Sequence, residues 1–207
     1  MPPKLTKKIM WKVENEAYKL FATPSVDGWE LLGETSTLKF YNKGPIVVVG
    51  IRGAESENDE YKNFQIITSG VLTETDRFKT DLFDLIEFQK LIASPEEYKY
   101  YGVAHSFGGA IMDEFINDGL LKSGVSYNPA VDLKKFKDFP LNHRIYMNND
   151  SYYKLFGQYT VNPEVRQNKK AYILTPGHFS QKKYMESERD AHKLSNFKGG
   201  GLRGAEK

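Results

Sequence analysis

The sequence predicts an α/β fold in which a mainly parallel sheet is covered by helices on both sides, a three-layer sandwich. Three observations point there. The run Ile46-Val47-Val48-Val49-Gly50-Ile51 carries no polar side chain, as expected of a central strand buried on both faces and not of an edge strand. Beyond it, strand-like and helix-like segments alternate, and alternation needs crossover connections, which bring successive strands in parallel. Finally, 207 residues with 40% apolar and 14% aromatic side chains are ample for one sizeable core, so a single domain over 1–207 is expected.

Taken in order, residues 1–10 read as a basic arm containing Lys4, Lys7 and Lys8. Trp11, Tyr18 and Phe21 recur at helical offsets, which predicts a helix over 11–21 that Thr23-Pro24 ends. Residues 29–41 alternate loosely, as one or two strands, and Lys43-Gly44-Pro45 turns the chain into the 46–51 strand. Pro45 is tolerated there as a strand's first residue. Between 76 and 92, Phe78, Leu82, Leu85 and Ile86 share one helical face, and Ser94-Pro95 follows its end. A short strand at 98–104 precedes a helix at 107–121, whose apolar side holds Ala110, Ile111 and Phe115 and whose end Gly119 weakens. Further short strands are predicted at 125–127, 144–147 and 171–174. Residues 198–207 follow as a mobile tail, since ordering Gly199-Gly200-Gly201 costs much backbone entropy.

Composition excludes several function classes. Lys+Arg 29 against Asp+Glu 27 leaves a net charge of +2, too small for a dedicated nucleic-acid binder, whose basic excess is larger and clustered. With no cysteine there is no disulfide framework, no thiolate nucleophile and no Cys-ligated metal. The start lacks the apolar stretch of about 7 to 15 residues that a secretory leader needs, and nothing approaches the ~20 apolar residues that span a bilayer. A soluble, intracellular chain without secretion signal or transmembrane segment is therefore expected. No metal-ligand spacing, phosphate-cradling Gly-Lys-Ser or dinucleotide Gly-x-Gly-x-x-Gly pattern occurs, so no cofactor is implied.

The informative segment is Gly102-Val103-Ala104-His105-Ser106-Phe107-Gly108-Gly109-Ala110. It puts a serine at a predicted strand-to-helix turn, the pattern of a nucleophile elbow, in which the residues two before and two after the serine must be small to avoid collision across the bend. Ala104 and Gly108 meet that demand. Serine attacks only when a histidine takes its proton, and that histidine needs an acid to orient it. In folds that carry such an elbow, the order along the chain is Ser, then Asp or Glu, then His. Asp150, in Asn148-Asn149-Asp150-Ser151 just past the predicted 144–147 strand, lies where such sheets gather site residues. Of the four histidines, His105 adjoins the nucleophile and should point away from it, and His143 precedes the acid. His178 and His192 remain, and position alone does not separate them. The acidic run Glu55, Glu57, Asp59, Glu60 reads as a solvated loop. Phe64, Ile66, Ile67, Val71 and Leu72 fit an acyl site, a lid or plain core packing.

Ile46 to Gly53, Ala104 to Gly109, Ile145 to Asp150 and Ala191 to Phe197 together resemble the class 3 lipase family of α/β-hydrolases, over about Ile46 to Phe197. The family's elbow is Gly-His-Ser-Leu-Gly-Gly; His105, Ser106, Gly108 and Gly109 match, while Ala104 and Phe107 depart. Its Arg-Gly followed by Thr or Ser is matched by Arg52-Gly53-Ala54, without the hydroxyl. The resemblance implies an α/β-hydrolase-like sandwich and a cofactor-free serine hydrolase of carboxylic, lipid-like esters. Its triad would be Ser106, Asp150 and His192, with His178 the alternative base, and its oxyanion hole the N–H groups of Ala54 and Phe107. Partners would be a small-molecule ester or lipid and a membrane surface met through the basic arm; a virus-associated setting suits the family as well as a cytoplasmic one. The substitutions at Ala54 and Ala104 also fit an alternative, a catalytically weak or inactive hydrolase-fold protein that serves as a lipid-binding or structural module.

Overall fold

Short turns decide the direction of the first four strands. Asp27 and Gly28, at φ 51 and 74, join β1 (Ser25–Val26) to β2 (Trp29–Glu34), and Gly44, at φ 54, joins β3 (Leu38–Lys43) to β4 (Ile46–Ile51). Turns this short reverse the chain, so β1 to β4 pair antiparallel in succession. Beyond β4 the connections are long enough to cross over. β5 (Lys99–His105), β6 (Gly124–Tyr127), β7 (Asn142–Met147) and β8 (Ala171–Leu174) each pair in parallel with the strand before. The computed structural model describes residues 3–54, 69–130, 142–147 and 171–174, with Arg144 the one side chain described in the last two segments. Its sheet is mixed and runs in chain order from β1 to β8. The expected parallel sheet is thus its C-terminal part, while the predicted strand region 29–41 proves to be two antiparallel strands.

Helices cover both faces. α1 (Lys7–Ala17) starts at Thr6, whose hydroxyl accepts from the Ile9 N–H at 3.3 Å, as an N-cap should. Its Ile9, Met10 and Val13 pack with Trp29, Tyr41, Val48, Val103, Val125 and Tyr127. On the opposite face lie α2 (Asp76–Leu91), capped by Thr75, and α3 (Phe107–Asn117). There Phe78, Leu85, Phe88, Ile111, Met112 and Phe115 pack against Phe40, Val47, Val49, Ile51 and Ala104. β4 accordingly divides its side chains between the two layers and is buried throughout, as its composition predicts. Leu72 goes to the core beside Phe78.

Two sequence expectations are corrected. The basic arm is shorter than residues 1–10, because Ile9 and Met10 are buried and draw Lys7 and Lys8 into the first turn of α1. The apolar face of α1 is also not the Trp11, Tyr18, Phe21 stripe; Tyr18 follows the helix as its C-cap, and Phe21 is 77% exposed. The aliphatic residues Ile9, Met10 and Val13, with small Ala17, win the sheet face, since they allow α1 to lie close enough that a Cβ on Gly50 would sit 3.0 Å from the Val13 carbonyl oxygen. Among the described residues no helix is long and apolar enough to cross a membrane.

Candidate active site

All parallel strands end at one edge of the sheet, and Ser106 stands there between β5 and α3. Its backbone, at φ 54 and ψ −128, occupies a region that costs a residue with a Cβ roughly 1 to 3 kcal/mol and persists only where its surroundings fix it. They do. The Ser106 N–H donates to the Tyr127 carbonyl at 3.1 Å, and its own carbonyl accepts from Gly109 and Ala130, both at 2.9 Å. Ala104, two residues earlier, is fully buried. Gly108, two later, packs on the chain leaving β4: a Cβ there would collide with the Ile51 carbonyl oxygen and lie 2.9 Å from that of Arg52. A small residue at Gly108 is thus a steric requirement, as the sequence pattern implied. Ser106 is itself buried, at 2% exposure.

The segment after β4 lies directly against the elbow. A Cβ on Gly53 would sit 3.0 Å from the Ser106 Cβ and 2.7 Å from both the His105 carbonyl oxygen and the Tyr18 hydroxyl. Ala54 therefore follows a residue in contact with Ser106, and Phe107 opens α3. As the first residue of a helix, Phe107 has an N–H without an intrahelical partner.

Three side chains that were not among the predicted site residues fasten this region. The Arg52–Gly53 peptide is held at both ends: Arg77 on α2 donates from Nη2 to its carbonyl oxygen at 2.7 Å, and its N–H donates to the Tyr18 Oη at 3.0 Å. Arg77 is braced in turn by Asp81, at 2.7 Å, whose other oxygen accepts from Thr37 Oγ1 at 2.5 Å. The Tyr18 Oη also lies 2.6 Å from the Nδ1 of His105. One turn back on α1, the buried carboxyl of Glu14 accepts from the Ile51 N–H at 3.3 Å and from the His105 N–H. Burial pushes its pKa well above the ordinary glutamate value, against the opposing pull of those bonds and of Arg77. Burial, with Glu14 beside it, raises the Tyr18 hydroxyl likewise, so it remains a protonated phenol.

Of the predicted site residues, Ser106, Phe107 and Ala54 are thus brought to one edge, and the ring of His105 faces Tyr18. Asp150, His178 and His192 lie outside the described residues, as does the acidic run at 55–60. The strands before Asp150 and His178, β7 and β8, end at Met147 and Leu174 on the edge that holds Ser106. Tyr18, Glu14 and Arg77 left a faint signal at most: Glu14 and Tyr18 are four apart, which puts two polar groups on one side of a helix otherwise facing the sheet. Comparison with protein-family profiles, with curated proteins and with solved structures found no match.

Proposed function

We propose that the chain is an α/β-hydrolase-type serine hydrolase of carboxylic, lipid-like esters, akin to the class 3 lipases. The observation that carries this reading is the backbone of Ser106, a non-glycine residue at φ 54 on a strand-to-helix bend secured by three hydrogen bonds. Strain of this kind collects where geometry is held for chemistry. In the proposed reaction the Ser106 oxygen attacks the ester carbonyl while an imidazole, His192 or alternatively His178, takes its proton, with Asp150 orienting that ring. The N–H groups of Phe107 and Ala54 hold the oxyanion, the alcohol leaves with the proton, and water then releases the acid from the acyl-enzyme.

Labelling with a fluorophosphonate, which reacts only with an activated serine, tests the reading. Attachment at Ser106 is expected, and Ser106→Ala should lower ester turnover by roughly 10⁴-fold or more. Absence of labelling in the folded protein, or unchanged turnover in the variant, defeats it. The second reading, a non-catalytic lipid-binding module, draws on the near-complete burial of Ser106 and gains if the probe fails to react.

A further inference from the structure

We infer that Tyr18 is a positioning residue for the oxyanion hole, an inference that rests on the reading of Ser106 as nucleophile. Ala54 can donate usefully only if the peptide before it is fixed, because nothing in its own methyl side chain anchors the turn. That peptide is gripped from both faces of the sheet. Arg77, on the α2 side, holds the Arg52 carbonyl at 2.7 Å, and Tyr18, on the α1 side, takes the Gly53 N–H at 3.0 Å. Tyr18 does more than Arg77, because its hydroxyl also reaches His105 Nδ1 at 2.6 Å. His105 is the residue before Ser106, so a single oxygen spans the two backbone segments that supply the two donors, Gly53-Ala54 and His105-Ser106-Phe107. All three groups are satisfied when the hydroxyl accepts from Gly53 and gives its own proton to Nδ1.

Gly53 itself has no room for a side chain, since Tyr18, His105 and Ser106 all lie within 3.0 Å of where a Cβ would be. The tyrosine hydroxyl fills that approach in place of a side chain on the turn. Glu14 repeats the bridge one turn earlier on α1, joining the Ile51 N–H to the His105 N–H. α1 therefore sets the spacing between the ends of β4 and β5, and Tyr18 sets it at the level of the donors.

The test is Tyr18→Phe, which removes the hydroxyl while the ring stays. In the wild type, NMR should show the Gly53 amide exchanging slowly although it lies outside any strand. In the variant that amide should lose protection and the His105 ring nitrogens should shift. Turnover of a p-nitrophenyl ester should fall roughly 10- to 100-fold in kcat at nearly constant KM, as misplacement of a transition-state donor predicts. A fast-exchanging Gly53 amide in the wild type overturns the inference whether or not the variant folds. So does unchanged kcat in Tyr18→Phe when Ser106→Ala is inactive. A wild type that neither hydrolyses the ester nor reacts with a fluorophosphonate overturns the nucleophile reading, and the role of Tyr18 with it.

Discussion

Ser106 holds a conformation that its own Cβ opposes, and the size of that opposition can be measured apart from catalysis. Ser106→Ala and Ser106→Gly both remove the hydroxyl, but only the glycine removes the clash that φ 54 imposes. Relief of roughly 1 to 3 kcal/mol of strain, less about 0.4 to 1 kcal/mol for the looser unfolded chain, should leave Ser106→Gly about 1 kcal/mol more stable than Ser106→Ala by urea unfolding. Equal stabilities would show that the bend is relaxed. The residues around the bend were legible because small residues two places either side of a serine form a local pattern, although the atoms that a Cβ on Gly108 would meet are the Ile51 and Arg52 carbonyl oxygens, far off along the chain. Tyr18, Glu14 and Arg77 were not, because each acts on a partner remote along the chain. Tyr18 meets Gly53 and His105, 35 and 87 residues off, and Arg77 meets Arg52, 25 residues off. No spacing rule connects such pairs, and a tyrosine at the end of a helix reads as apolar surface until the fold places its hydroxyl.

Elements were legible where their period was strong. The expected helix over 76–92 and strands over 46–51 and 171–174 agree with α2, β4 and β8 almost residue for residue, because an apolar run or a repeated face is a property of the segment alone. α1 was displaced because two lysines at its start look like an arm, and only the sheet face shows that Ile9 and Met10 must be buried. The buried face of α2 likewise includes Asp81, which no hydropathy pattern anticipates and which Arg77 and Thr37 make tolerable. A second buried charge ties α3 to the far side of the sheet: Asp113 accepts from Arg144 Nη2 on β7 at 2.8 Å, with both side chains under 10% exposed. Removing one partner takes from the other a charge contact it holds in a poor solvent, so Asp113→Ala should cost about 3 to 5 kcal/mol, whereas Asp113→Ala combined with Arg144→Met should recover much of that loss. Denaturant unfolding of the two single variants and the double variant checks it, and additive losses would show that the pair is not coupled.

At the scale of the molecule, winding from β4 to β8 in one direction sends α2 and α3 to a single face, and α1 covers the other. Among the described residues α1 is the helix on the second face, and it carries a carboxyl into it. Glu14 is fully buried, faces Tyr18 at the end of its own helix, His105 on β5 and Tyr127 on β6, and feels Arg77 from α2. Its pKa is raised in the folded state chiefly by burial, while the unfolded chain has the ordinary value of 4.5. The folded protein thus holds a proton that the unfolded chain releases. Below pH 4.5 both states are protonated and the group costs nothing; above it stability declines, by up to about 1.4 kcal/mol per pH unit, until the folded-state pKa is passed. Tyr18 and Tyr127, both pushed upward by burial and by Glu14, stay protonated through this window and do not contribute. Glu14→Gln keeps an acceptor for the Ile51 and His105 amides and cannot ionise. The stability of the wild type minus that of Glu14→Gln, read from urea unfolding at each pH, should therefore fall as the pH is raised above 4.5. A difference that stays flat would mean that Glu14 ionises as freely inside the protein as outside it, and α1 would then cover its face without a held proton.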